Sequence, residues 1–202
     1  MKIKIGSQNV LYPLPLCIVG TFWEGKINLS TVIHTGLINA NSPFLISVSV
    51  NKKHLTRQVM RENKTFSVNL LAADQVVTAD YVGLVSGREV DKASLFEWFF
   101  GELPGAPLIK NCPLSMECRV VDIYELSAYD VFIAEIAATY AEQAVLKDGA
   151  IDLAQVNPLL FDVNGKQYWS LGKAVGQGWS EGKKWQPVVP QTASGTLAEQ
   201  ED

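Results

Sequence analysis

A strand end carrying small hydroxyls, Ser47-Val-Ser49, leads within a few residues to Lys52, Lys53, His54 and Thr56 and then to a helical spacing of apolar residues at Leu55, Val59 and Met60. Side-chain donors from a strand end and free N–H groups at a helix start can converge on a phosphomonoester. The same residues also fit a plainer account, in which the serines face solvent, Lys52 and Lys53 form a wet turn and Thr56 only caps the helix. A second donor-rich segment, Gly83–Lys92, places Ser86, Arg88 and Lys92 among glycines that permit tight turns. Two such segments flanking one helix–strand unit favour a single shared anion.

Other chemistries have less support. Gly172-Lys-Ala-Val-Gly-Gln-Gly178 falls short of a dinucleotide fingerprint, no Gly-x-Ser-x-Gly elbow is present, and the acidic residues are scattered. An enzyme built on this chain would take its chemistry from a bound cofactor. Cys17, Cys112 and Cys118 include no Cys-x-x-Cys pair and read as small buried apolar residues. With His34 and His54 as the only histidines, no metal site is expected.

These residues need elements to hold them. The 202 residues, 48% hydrophobic and 19% charged, suit one sizeable core, and the net charge of -4 argues against nucleic acid as a partner. Leu11–Gly20 is apolar, but prolines interrupt it and bulky Leu16 precedes Cys17, unlike a cleavage site. No apolar run is long enough for a membrane span, so a soluble cytoplasmic protein is expected.

Leu16–Trp23, the turn Glu24-Gly-Lys26 and Leu29–Leu37 read as a hairpin. Phe44–Val50 alternates, with Phe44, Ile46, Val48 and Val50 on one face and Leu45, Ser47 and Ser49 on the other. A short helix is predicted up to Asn63, with Thr56 or Asn51 near its start, then a strand at Phe66–Leu70 and a helix at Ala72–Val82. Gly83–Lys92 reads as a loop and Ala93–Phe100 as a helix begun by Asp91. Two longer strands, Ser115–Glu125 and Val131–Tyr140, follow across a short turn. Asn164-Gly165 predicts a type I′ hairpin between Leu159–Val163 and Lys166–Trp169. The expected fold is mainly β, a closed or partly closed antiparallel barrel with a few short helices. After Gly176 the composition shifts, and 177–202 is expected to be a flexible tail or an arm lying on a partner subunit.

Taken in order, Val19-Gly-Thr21, Gly25-Lys-Ile-Asn28 with Thr31, Ser47-Val-Ser49 with Lys53, His54 and Thr56, and Phe66-Ser-Val-Asn69 form a recognisable series. It continues through Asp80-Tyr-Val-Gly83 with Ser86-Gly-Arg88 and Asp91-Lys92, Cys112–Cys118, and Phe132-Ile-Ala-Glu135. From about Pro13 to Gly176 the chain resembles the flavin reductase-like FMN-binding split barrels, specifically the flavoredoxin-like branch. The resemblance implies a Greek-key split barrel, homodimeric, with FMN at or near the subunit interface. It also implies electron transfer between NADH, NADPH or a partner protein and an acceptor. By position, Asn28 and Thr31 would approach the isoalloxazine and ribityl groups, with Ser30 in the same cofactor set. Ser47 and Ser49 would line the cofactor strand. Lys53, Thr56, Ser86 and Lys92 would serve the phosphate, and Phe161 would pack near the ring.

Two positions depart from the family pattern. Many relatives have tryptophan where this chain has His34, so ring stacking there would be either lost or replaced by a hydrogen bond. Relatives also commonly carry Gly-x-His where this chain reads Ser127-Ala-Tyr129, which makes Tyr129 the candidate to touch substrate or flavin. These departures, with Ala134, leave a second expectation open: a non-catalytic module that binds flavin or another planar ligand.

Overall fold

The structure, a computed structural model, describes residues 1–186. Strand β1 (Cys17–Trp23) turns through Glu24 and Gly25 into β2 (Lys26–Val32), with Trp23 opposite Lys26. Both turn residues have positive φ, 50° and 77°, the requirement of a two-residue type I′ turn. β3 (Thr35–Asn39) and β4 (Leu45–Asn51) precede helix α1 (Leu55–Asn63), and β5 (Thr65–Leu70) precedes α2 (Val76–Leu84). The long strands β6 (Leu114–Glu125) and β7 (Tyr129–Ala141) complete a seven-stranded antiparallel sheet in the order β2-β1-β5-β6-β7-β4-β3.

The edge strands of this sheet, β2 and β3, are consecutive in the chain. Only Ile33 and His34 separate Val32 from Thr35, so the two edges lie within about 11 Å of each other at that end. A flat sheet of seven strands cannot meet that limit. It curls into a barrel left open between β2 and β3, the split barrel the sequence suggests. The single strand predicted over Leu29–Leu37 is therefore two strands, because the chain changes partners at residues 33 and 34.

Cys17, Val19, Val48, Phe66, Val68, Cys118 and Phe132 fill the barrel interior, with Met60 of α1 among them. Leu16 and Ile18, which alternate with them along the chain, pack outside the barrel against Leu71, Ala79, Val82 and Leu159. Both faces of β1 are buried over Cys17–Thr21, which explains the consecutive apolar residues Leu16–Val19. α1 has no internal glycine or proline, buries Thr56, Val59 and Met60, and stops at Lys64 in the left-handed region, whose N–H reaches Met60 O at 3.2 Å. The buried face thus takes Thr56, where the sequence favoured Leu55.

Three further local expectations are corrected. Ala93–Phe100 is not a helix: one 3-10 turn (Lys92–Leu95), capped by Asp91 as expected, gives way to an extended pair, Trp98–Phe99 with Leu108–Ile109. Four aromatic residues between Phe96 and Phe100 favour that extended packing. The Asn164-Gly165 hairpin joins β8 (Leu160–Asp162) to β9 (Gln167–Trp169), but its loop spans 163–166 and Lys166 is the residue with positive φ, at 51°. Phe44 is exposed and is not part of the buried face of β4.

The chain divides into two compact units, Met1–Leu171 and Gly172–Asp202. In the second, the described part contains a 3-10 turn at Glu181–Lys184. The expected tail lies outside the described residues from 187 onward. No helix among the described residues is long and apolar enough to cross a membrane.

Candidate functional site

A cavity of about 280 Å³ is bounded by β2, the start of α1, the end of α2 and the loop after it. Asn28, Ser30, Thr31, Lys53, Thr56, Ser86 and Lys92, all expected to bind the cofactor, line it. His54, Gly87 and Arg88 join them, and among the described residues no aspartate or glutamate does.

The walls are tied to one another. Asn28 Nδ2 donates to Thr56 Oγ1 at 2.8 Å and to Thr21 Oγ1 at 3.1 Å. Thr31 Oγ1 donates to Ala79 O at 3.1 Å, fixing α2 to β2. In the loop, Ser86 Oγ accepts from Arg88 N at 3.2 Å, and the Ser86 carbonyl accepts from Glu89 N and Val90 N. Gly87 passes so close to β2 that a Cβ there would lie 2.6 Å from Asn28 Oδ1.

Lys92 is the electrostatic centre of the site. It is 6% exposed, and its Nζ donates to Val82 O at 2.7 Å. Among the described residues no carboxylate lies within ion-pair distance of it. Burial holds its pKa below the usual lysine range. The His54 pKa is lowered as well, first by partial burial and then by the charge of Lys92. His54 sits at the N-cap of α1 and its side chain makes no cap bond, and no acidic residue occupies the first turn. Neither Thr56 nor Asn51 caps the helix: Thr56 is buried and held by Asn28, while Asn51 Oδ1 accepts from Lys53 N at 3.0 Å. A cationic cavity with spare donors and no carboxylate is built to take an anion.

The remaining expected residues lie elsewhere. His34, Ser47, Ser49 and Tyr129 gather around β4. Ser47 and Ser49 stand opposite Ile133 and Val131 of β7, and Tyr129 stands opposite Asn51. The Tyr129 and His34 rings meet edge-on at 5.7 Å, and Ser49 N donates to His34 O at 2.9 Å. Phe161, on β8, packs against Tyr168 with ring centroids 5.1 Å apart. None of these five lines the cavity.

Sequence reasoning missed two supports. Thr21 is fully buried and faces Asn28 across the hairpin, a register that the two-residue turn already implies. Asp130, also fully buried, receives Arg57 Nε at 2.5 Å and Arg61 Nη1 at 2.9 Å, with Lys52 Nζ at 3.6 Å. It lashes α1 to the start of β7 beside Tyr129, and no local sequence signal announces a contact of such separation.

The three cysteines are free and buried. Burial pushes the Cys17 thiol up to about 12 and raises Cys112 and Cys118 likewise. Among the described residues no group of three or more His, Cys, Asp or Glu side chains is arranged to hold a metal ion.

Residues 10–170 match the family model described as flavin reductase like domain. The structure is similar to flavoredoxin from Methanosarcina acetivorans at 42% identity and a TM-score of 0.86, covering 91% of this chain and 98% of that one. Flavoredoxin of Desulfovibrio vulgaris (Miyazaki F) aligns at 29% identity and a TM-score of 0.84, covering 90% of this chain and 100% of that one. In sequence, an NADH-dependent FAD reductase of Streptomyces globisporus is 31% identical over 96 residues, 47% of this chain and 53% of its own length. The chain spans little more than half of the curated relatives from Streptomyces globisporus and Aeropyrum pernix, 53% and 59%.

Proposed function

The chain belongs to the flavin reductase like family, in its flavoredoxin-like branch, and from that premise we propose that it is an FMN-dependent oxidoreductase. It would pass electrons between a reduced nicotinamide or a partner protein and an acceptor. The observation that carries this reading is Lys92, a buried cation without a carboxylate partner among the described residues, in a cavity lined by cations, hydroxyls and an amide.

The residues fit a phosphorylated flavin. Thr56 Oγ1 accepts from Asn28, so its own hydroxyl proton is free for a phosphate oxygen. Ser86 Oγ accepts from Arg88 N and likewise keeps its proton. Lys92 spends one N–H on Val82 O and has two left. Thr31 has given its proton to Ala79 O, so toward a ligand it can only accept, which suits a ribityl hydroxyl. FMN, when bound, supplies the electron-carrying chemistry; the protein supplies binding, orientation and electrostatics.

The patch of Ser47, Ser49, His34 and Tyr129 is assigned to the ring and the electron partner, with Phe161 in the same cofactor set. The protein is proposed to work as a cytoplasmic homodimer with FMN at or near the subunit boundary. The purified protein is expected to be yellow or to take up added FMN; a colourless protein that takes up none contradicts the reading. Light scattering at micromolar concentration is expected to give a dimer, and a monomer contradicts that part.

A second reading is a non-catalytic module that binds flavin or another planar ligand. It is favoured by Tyr129, which stands where reductase relatives carry histidine and which is engaged edge-on with His34. Anaerobic NADH or NADPH is expected to bleach the FMN-loaded protein. Reduction by neither nicotinamides nor electron-transfer proteins would favour the module.

A further inference from the structure

Among the described residues, the cavity carries Lys53, His54, Arg88 and Lys92 and no carboxylate, in a chain of net charge -4. The charged groups on every neighbouring element sharpen that imbalance. Lys52 at the end of β4, and Arg57 and Arg61 on α1, are turned toward Asp130 and Glu125. Asp80 on α2 is held by the Tyr168 hydroxyl at 2.6 Å. Glu89 and Asp91 on the loop, with Glu24 and Lys26 from the β1–β2 turn, line the adjoining groove and not this cavity. β2 contributes only the uncharged Asn28, Ser30 and Thr31 as polar lining.

Among the described residues that line the cavity, His54 is the one able to change its charge near neutral pH. It stands exposed at the cavity mouth, with an extended backbone (φ -79°, ψ 139°) and no side-chain bond to the helix it precedes. Without an anion, partial burial and then the field of Lys92 lower the imidazole pKa. A phosphate dianion among the same cations reverses the sign of that field.

We propose that His54 takes up a proton from solvent as the flavin phosphate arrives, becoming an imidazolium that donates to it, so that the protein holds a phosphorylated flavin more tightly near neutral than at alkaline pH. This rests on the flavin reading given above. The linkage has a definite sign. The imidazole pKa rises from its ligand-free to its ligand-bound value, so affinity is greatest below the first and falls as pH climbs toward the second. One proton limits the fall to about tenfold per pH unit. The phosphate becomes a dianion with a pKa of about 6, so the window to examine lies above that.

The test is calorimetric titration of the full-length apoprotein with FMN and with riboflavin near neutral to mildly alkaline pH, in buffers of different protonation enthalpy. The wild type is expected to take up a substantial fraction of one proton per FMN and none per riboflavin. His54→Asn is expected to take up none, and its FMN affinity should lose most of its pH dependence. An unchanged proton count in His54→Asn would overturn the proposal and assign the proton to Lys92. FMN binding without proton uptake in the wild type would overturn it while leaving the flavin reading intact. Failure to bind either flavin would overturn that reading and this proposal together.

Discussion

Asn28 and Thr56 are joined side chain to side chain by a 2.8 Å hydrogen bond from Nδ2 to Oγ1. One residue sits on an edge strand and the other in the first turn of α1, so the bond closes the floor of the cavity. It also fixes what each group can still offer: Thr56 a proton, Asn28 its carbonyl oxygen.

Gly87→Ala should disturb this pair from outside. The added Cβ would press on Asn28 Oδ1, which lies 2.6 Å from its ideal position, and turn the amide away from Thr56. FMN affinity is expected to fall about tenfold, the equivalent of 1.4 kcal/mol. In an Asn28→Ala background the same substitution should have little effect, because the clashing atom is gone. A double-mutant cycle read by flavin fluorescence checks this coupling.

Thr56→Val keeps the shape and removes the donor. A valine methyl cannot accept, so the part-buried Asn28 amide loses one of its two partners, at a cost of about 1 kcal/mol in stability, visible by thermal denaturation. The phosphate loses one bond, so FMN should weaken more than riboflavin. Equal losses for the two ligands would place Thr56 away from the phosphate.

Asp130→Asn should be the most destabilising conservative change outside the cavity. Burial alone would raise the carboxyl pKa, but hydrogen bonds and charge from Arg57 and Arg61 outweigh it and hold it below the usual range. The arginine side chains are 24% and 32% exposed, so the low end of the cost of breaking a buried pair, about 3 kcal/mol, is expected. A depressed carboxylate stabilises the fold above its unfolded pKa and ceases to as pH falls through its folded one. The wild type should therefore lose stability in acid to a degree that Asp130→Asn does not, as denaturation against pH would show.

Thiol chemistry should be silent in the folded protein. Cys17, Cys112 and Cys118 are 3%, 3% and 0% exposed, and burial raises all three pKa values. A thiol reagent is expected to label none of them under native conditions and all of them in denaturant.

Much of this was legible in the chain. Alternation at Ile46, Val48 and Val50 identified β4, and the donors around Thr56 and Ser86–Lys92 proved to line one cavity. Residue type and spacing carry that information. The break at Ile33 and His34 was not legible, because it answers to barrel closure rather than to local pattern. Lys166 took the left-handed position expected near Asn164-Gly165 because the loop is four residues long, which a dipeptide signal does not fix. Asp130 and Thr21 appear only once strands and helix are brought together. Thr21 needed the two-residue turn at Glu24 and Gly25, where the sequence suggested a turn over Glu24-Gly-Lys26, and Asp130 followed from nothing local.

The most direct test of an FMN phosphate site is the affinity of the wild type and of Lys92→Met for FMN and for riboflavin, measured side by side. Methionine fills much of the same space without a buried charge but leaves the Val82 carbonyl without its donor, so a loss of about 1 kcal/mol in apoprotein stability is expected. The account predicts that Lys92→Met weakens FMN by about 1.5–3 kcal/mol, roughly tenfold or more, and leaves riboflavin nearly unchanged. Equal binding of FMN and riboflavin by the wild type, or an unaltered FMN affinity in Lys92→Met, would contradict it.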